Sequence, residues 1–143
     1  MKKIIKLILS SDLHSTTANF GILFFRVAVA TELIVVHGLK KIGIGVAVPE
    51  DIPNPFGFPS ILNDFLAIAA NVYLPVFVVL GLFTRLAAIP ALIVTATGYF
   101  IMHGTDSLIE RDIPFMYSIA MLTIAMVGGG KYSVDGYLTK KLN

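Results

Sequence analysis

The sequence contains no cysteine and no tryptophan among its 143 residues. Without a thiol the chain forms no disulfide, offers no thiolate nucleophile and ligates no iron–sulfur cluster of its own. Any redox role therefore has to run through a bound cofactor or a partner. Charge is the second shortage. Asp, Glu, Lys and Arg make up 14% of the residues, where a soluble domain carries about 25% because its surface needs them. The formal net charge of +2, with no basic stripe interleaved with aromatics, gives nucleic acid little to bind. No glycine-rich phosphate loop follows a strand, there is no nucleophile elbow, and no carboxylates stand paired at catalytic spacing. His37, His103 and Glu110 have metal-ligating chemistry, but their spacing matches no metal motif, and no metal is expected. No repeat with a period of about 20–50 residues occurs, nor an inverted half-repeat, so the chain reads as a single domain over residues 1–143.

What is abundant is apolar surface. Hydrophobic residues make up 56% of the chain, and its mean hydropathy is +0.83. Phe65 to Phe83 and Leu86 to Met102 carry no charged side chain. Two such runs of about 17–19 residues, joined at Leu80-Gly81-Leu82-Phe83-Thr84-Arg85, predict a transmembrane helical hairpin. Gly81 lets backbones approach, Thr84 can cap the next helix, and Arg85 sets a charge at headgroup level. A first apolar segment spans about 19–37 and closes at His37-Gly38-Leu39-Lys40-Lys41. Others cover about 62–83, 86–103 and 113–128, the last stopping at Gly128-Gly129-Gly130. Residues 42–61 hold four of the seven prolines and cannot continue a helix. That loop is too apolar for a solvated linker and is expected to fold over the bundle mouth. Met1 to Leu9, with Lys2, Lys3 and Lys6, reads as a retained interfacial segment on anionic headgroups, and a polar tail ends at Lys140-Lys141. The fold class is thus an all-α integral membrane protein, a four-transmembrane-helix bundle with a short N-terminal interfacial segment and a Pro-rich loop between helices 1 and 2.

Four spans put both termini on one side. Lys2, Lys3, Lys6, Arg85, Lys131, Lys140 and Lys141 lie on that side, and Lys40, Lys41 and Arg111 on the other. The asymmetry predicts a multi-pass protein of the bacterial inner membrane with both termini cytoplasmic.

Polar groups at membrane depth need a partner or a task. At about 1.5 Å per residue, Arg26 lies about 9–10 Å into segment one and Glu32 about 18–20 Å, with Asn71 about 18 Å from the turn. Glu32 and Asn71 can meet at one level. Arg26 and His37, eleven positions apart, share a face to within about 20°, from which Glu32 is turned by about 120°. Pro75 frees a carbonyl beside Asn71, so a kink is expected there. Near the outer rim His37, Lys40, His103, Glu110 and Arg111 form a polar vestibule. The pocket candidates are Arg26, Glu32, His37, Asn71, His103 and Glu110. A structural alternative has Arg26 satisfying helix-end carbonyls near Gly128 or pairing with Asp135.

Arg26, His37-Gly38-Leu39-Lys40-Lys41, Gly57, Pro59, Leu80-Gly81-Leu82-Phe83-Thr84-Arg85, His103, Gly128-Gly130 and Tyr132-Ser133-Val134-Asp135 occur in an order that resembles the DoxX family. These are small four-helix membrane proteins related to the DoxD subunit of thiosulfate:quinone oxidoreductase. The resemblance covers about Phe20 to Tyr137. It implies membership of a quinone-linked or oxidative-stress redox system, with quinone as the cofactor and the lipid bilayer and a redox protein as partners; further copies of the same chain are a partner left open. Where family members often carry a glutamate in segment two, this chain has Asn71, which cannot exchange a proton near neutral pH. Two other readings stand beside it: a small proton-coupled transporter built on Glu32, and a membrane assembly partner without chemistry.

Overall fold

The computed structural model describes Leu9, Ser11 and residues 13–142. Apart from Leu9, the expected N-terminal interfacial segment lies outside the described residues. All regular structure among the described residues is helical. Three helices are long and apolar enough to cross a membrane: α1 (Thr16–Ile42), α2 (Ser60–Leu80) and α3 (Thr84–Met102). A fourth apolar helix, α4 (Asp112–Val127), is shorter, at 16 residues. The expected polar tail is instead a helix, α5 (Val134–Leu142).

Local chemistry sets the boundaries. Ser15 caps α1, its hydroxyl accepting from the Ala18 amide at 3.4 Å. The helix does not stop at His37-Gly38 but runs on to Ile42, where Gly43 turns left-handed at φ 77°. Gly38 serves packing rather than termination, because a Cβ there would lie 2.5 Å from the Asn71 carbonyl of α2. At the α2–α3 corner, Gly81 takes φ 71°, and the Leu82 amide bonds the Phe77 carbonyl at 2.9 Å. This is the Schellman closure that a left-handed glycine permits. A Cβ on Gly81 would also come within 3.0 Å of the Arg26 guanidinium carbon. Pro90 falls about half a turn deeper in α3 than the expected start at 86 placed it, because the helix begins at Thr84.

The inward face of α1 runs through Asn19, Ile22, Arg26, Ala30 and Leu33, spacings of three and four that keep one stripe on the bundle. The core joins Ala30 and Leu33 to Val78 of α2, Ala87, Ala88 and Ala91 of α3, and Met121 and Ile124 of α4. Small side chains on α3 let helices approach closely, and α3 and α4 make the most extensive pairing. Large apolar side chains point outward all round, Phe24 at 77% exposure and Phe100 at 71% among them. Such a surface suits lipid.

Candidate functional site

Each of the three long helices contains a π-helical stretch: Leu33–Gly38 in α1, Ala69–Tyr73 in α2 and Gly98–Met102 in α3. The register slips by one residue at each. The Leu39 amide reaches Ile34, Leu74 reaches Ala69, and His103 reaches Gly98. In α2 the cause is visible in the sequence. Pro75 has no amide to give the Asn71 carbonyl, and the expected kink takes the form of this bulge.

The three bulges surround one cavity of about 690 Å³, walled by α1 to α4 and covered by the irregular segment 43–59. Its wall is mainly apolar, with Leu33, Ala70, Ile93, Val94 and Met102 below and Ile52, Pro53, Pro55, Phe56 and Phe58 above. His37, Lys41, Asn63, Asn71, Thr95, Thr97, His103 and Tyr117 are the polar exceptions, and no carboxylate is among the lining residues. The His37 ring meets Tyr117 edge-on, with centroids 5.2 Å apart. His103 Nδ1 bonds Asp106 at 2.8 Å. The Asn71 amide nitrogen donates to the Ala67 carbonyl at 2.8 Å, which spends one of its two N–H groups on its own helix and leaves the other and the oxygen. Thr95 donates to the Ala91 carbonyl at 3.0 Å, and its hydroxyl oxygen lies 3.1 Å from that of Ser118, which itself donates to the Pro114 carbonyl at 2.7 Å.

The covering segment is strapped to α1 by one carboxylate. Glu50 receives Lys41 at 2.7 Å and Lys40 at 3.0 Å, and its amide donates to the Lys40 carbonyl at 3.0 Å. Partial burial pushes the Glu50 carboxyl up, but the hydrogen bonds and charges of Lys41 and Lys40 outweigh it and hold it below its ordinary value. At the far end of the segment, Asn63 donates to the Pro53 carbonyl at 3.3 Å.

Of the six expected pocket residues, His37, Asn71 and His103 line this cavity. Arg26 does not. It is 2% exposed, and it donates to the Val78, Val79 and Tyr132 carbonyls at the Gly81 end of the bundle. Asp135 lies in the same corner and accepts from the Phe83 and Thr84 amides at 2.7 and 2.8 Å and from the Thr84 hydroxyl at 2.7 Å. Thr84 is therefore capped by α5 rather than capping α3 itself, and Arg85 donates to the Val127 carbonyl at 3.5 Å. Glu32 is exposed and does not bond Asn71. Glu110 is exposed too, closing its own turn through the Ser107 amide at 3.0 Å. Arg111 stays in that loop, donating to the Gly104 carbonyl at 3.0 Å and standing 5.0 Å over the Tyr99 ring. Among the described residues no group of three or more His, Asp or Glu is placed to hold a metal ion. Tyr117 and Lys41 are the functional candidates that sequence reasoning missed. A tyrosine in the middle of an otherwise uncharged fourth segment is the signal that would have found the first.

The family model described as DoxX matches residues 21–104. An uncharacterized protein of Haemophilus influenzae (strain ATCC 51907 / DSM 11121 / KW20 / Rd) is 24% identical over 98 residues, a match that covers 65% of this chain and 65% of that relative. No solved structure matches the chain significantly.

Proposed function

Because the chain belongs to the DoxX family, we propose that it is a membrane component of a redox system and binds a quinone-class head group in the cavity beneath residues 43–59. The observation that carries this is the convergence of three π-bulges on one apolar chamber with a few polar groups. Such bulges occur preferentially at functional sites, and a chamber of this size and polarity suits a small amphiphile. A quinone offers two carbonyl acceptors on an apolar ring, and when bound it supplies the two-electron chemistry that the cysteine-free chain lacks. The residues fit that demand. His37 and Tyr117 stand together on α1 and α4, each with a ring or hydroxyl proton to give, while His103, at the end of α3, gives Nδ1–H to Asp106 and keeps Nε2 as an acceptor for a quinol hydroxyl. The apolar wall excludes water, and the nearest carboxylate to its polar groups, Asp106, stands behind His103 rather than on the wall. Asn71 holds its place by bonding Ala67 and presents an acceptor, not an acid. Electrons have to arrive from a partner protein.

In this arrangement all four apolar helices cross the membrane, both termini are cytoplasmic, and the cavity mouth with its Glu50 strap faces outward. Glu32 lies off the cavity wall, which favours this reading over a proton-coupled carrier built on that residue. The test is photoaffinity labelling of the purified protein in nanodiscs with an azido-quinone, competed by unlabelled quinone. Labelling is expected in peptides lining the cavity, with Tyr117→Phe and His103→Ala each weakening competition by about tenfold, the value of a lost buried hydrogen bond. Absence of competed labelling, or labelling indifferent to both substitutions, overturns the proposal.

A further inference from the structure

α1 carries a second surface that the cavity does not use. Opposite its buried stripe, Gly21, Phe24, Ala28, Thr31 and Val35 are all exposed. Their spacings of 3, 4, 3 and 4 residues are those of a seam between two helices packed along their length. Gly21 and Ala28 keep that seam low, and a Cβ on Gly21 would meet nothing within 4 Å. Beside the seam lies Glu32, exposed and without a hydrogen bond or ion pair among the described residues. The Thr31 hydroxyl likewise has no partner among them. Thr95, Ser118, Thr123 and Thr139 instead each bond the carbonyl one turn back, and Thr97, which like Thr31 bonds none among the described residues, faces the cavity. An acceptor and a donor thus sit side by side, neither in a hydrogen bond, on a face turned to hydrocarbon, the carboxylate reaching His37 and Tyr117 only through its charge. Polar groups there seek partners, because lipid offers none.

We infer that this face of α1 is the interface of a parallel two-fold homodimer, in which the Thr31 hydroxyl of each copy donates to the Glu32 carboxyl of the other. A second copy is the occupant because the face complements itself. In an isologous interface residue i meets j and j meets i, and Thr31 and Glu32 supply one donor and one acceptor at adjacent positions. Copies inserted with the same topology present α1 in parallel, so a two-fold axis along the membrane normal brings both pairs together at one depth. The hydroxyl–carboxyl pairs give the association its register, and Gly21 and Ala28 let the backbones come close enough to make them.

The absence of cysteine makes the test clean, because Ala28→Cys supplies the sole thiol of the 143-residue sequence. In native membranes, mild oxidation is expected to link Ala28→Cys copies into disulfide dimers, while Phe100→Cys, equally exposed on α3, stays monomeric. In liposomes, energy transfer between labelled copies is expected to report a dimer. Thr31→Val and Glu32→Leu should each weaken it by roughly fivefold to tenfold, the value of a pair of interhelical hydrogen bonds. Glu32→Gln, which keeps a carbonyl acceptor, should stay near wild type. A monomeric wild type at every protein-to-lipid ratio overturns the inference. So does equal cross-linking at 28 and 100, or a dimer unmoved by both Thr31→Val and Glu32→Leu.

Discussion

Arg26 and Asp135 bring opposite charges into one buried corner and perform mirror-image tasks there. A helix leaves its last carbonyls and its first amides without internal partners, and in a membrane those groups have no water to turn to. The corner between α2 and α3 is too tight to supply its own caps. Arg26, reaching across from α1, takes the Val78 and Val79 carbonyls at the end of α2, and Asp135, reaching up from α5, takes the Phe83 and Thr84 amides at the start of α3. Two residues far apart in sequence thus finish one hairpin turn. Asp135→Ala leaves three donors unpaired in a site where Asp135 is 1% exposed, and is expected to cost about 2–3 kcal/mol. Unfolding in detergent followed by circular dichroism measures it. Asp135→Asn, with one acceptor oxygen kept, should fall between that variant and the wild type, and quinone affinity should hold in both, since the corner lies at the other end of the bundle from the cavity. Loss of binding without loss of stability would mean that Arg26 and Asp135 act on the site rather than on the fold.

The elements divide into those whose cause is local and those whose cause is not. The α2–α3 hairpin was readable because an uncharged run, a left-handed glycine and a lone arginine are all neighbours in sequence. The Pro75 disturbance was readable because a proline removes a named hydrogen bond. The bulges at Leu33–Gly38 and Gly98–Met102 were not, since one extra residue per turn leaves no mark in an apolar pattern and is fixed by what packs against it. Arg26 and His37 share the inward side of α1, where Arg26 is buried and His37 lines the cavity, and the rise over eleven positions carries the two side chains to opposite ends of the bundle. His37, Asn71 and His103 were found as polar exceptions in apolar runs, whereas Lys41 was hidden among charges expected to face solvent. The loop over 43–59 has its own lock, and its pH dependence has a definite sign. The Glu50 carboxyl is held below its ordinary value in the fold, so its contribution is present above the ordinary carboxylate range, near about pH 4.3, and is lost as pH falls through the lowered value. Half-exposed ion pairs are individually weak, about 0–1 kcal/mol. Glu50→Gln is accordingly expected to lower amide-exchange protection across 43–59 severalfold at pH 7, with the Glu50-position amide the most affected. The difference from wild type should vanish in acid, where the wild-type carboxyl has lost its charge as well. No difference between the two at pH 7 would assign the strap to the backbone bond with Lys40 instead.

At the scale of the whole molecule, the two ends of the bundle are built on opposite principles. One end is closed by buried charge and hydrogen bonds at Arg26, Thr84 and Asp135, with Lys131 over Tyr132 just before α5 and Lys141 over Tyr137 on it. Amphipathic aromatics beside lysines favour the anionic headgroups of a cytoplasmic leaflet. The other end holds the bulges, the cavity and a strap fastened at a single carboxylate, with Leu108 and Ile109 of the α3–α4 loop exposed beside it. Under the proposed function the closed end faces the cytoplasm and the loop-covered end faces outward, and this topology is open to test. Asp51→Cys, in the covering loop, should react with a membrane-impermeant maleimide on intact cells. Lys140→Cys, on α5, should react only after permeabilisation. The reversed pattern would put the cavity mouth in the cytoplasm, and labelling of both positions from outside would mean an odd number of crossings, with α4, the shortest of the apolar helices, as the one that fails to span.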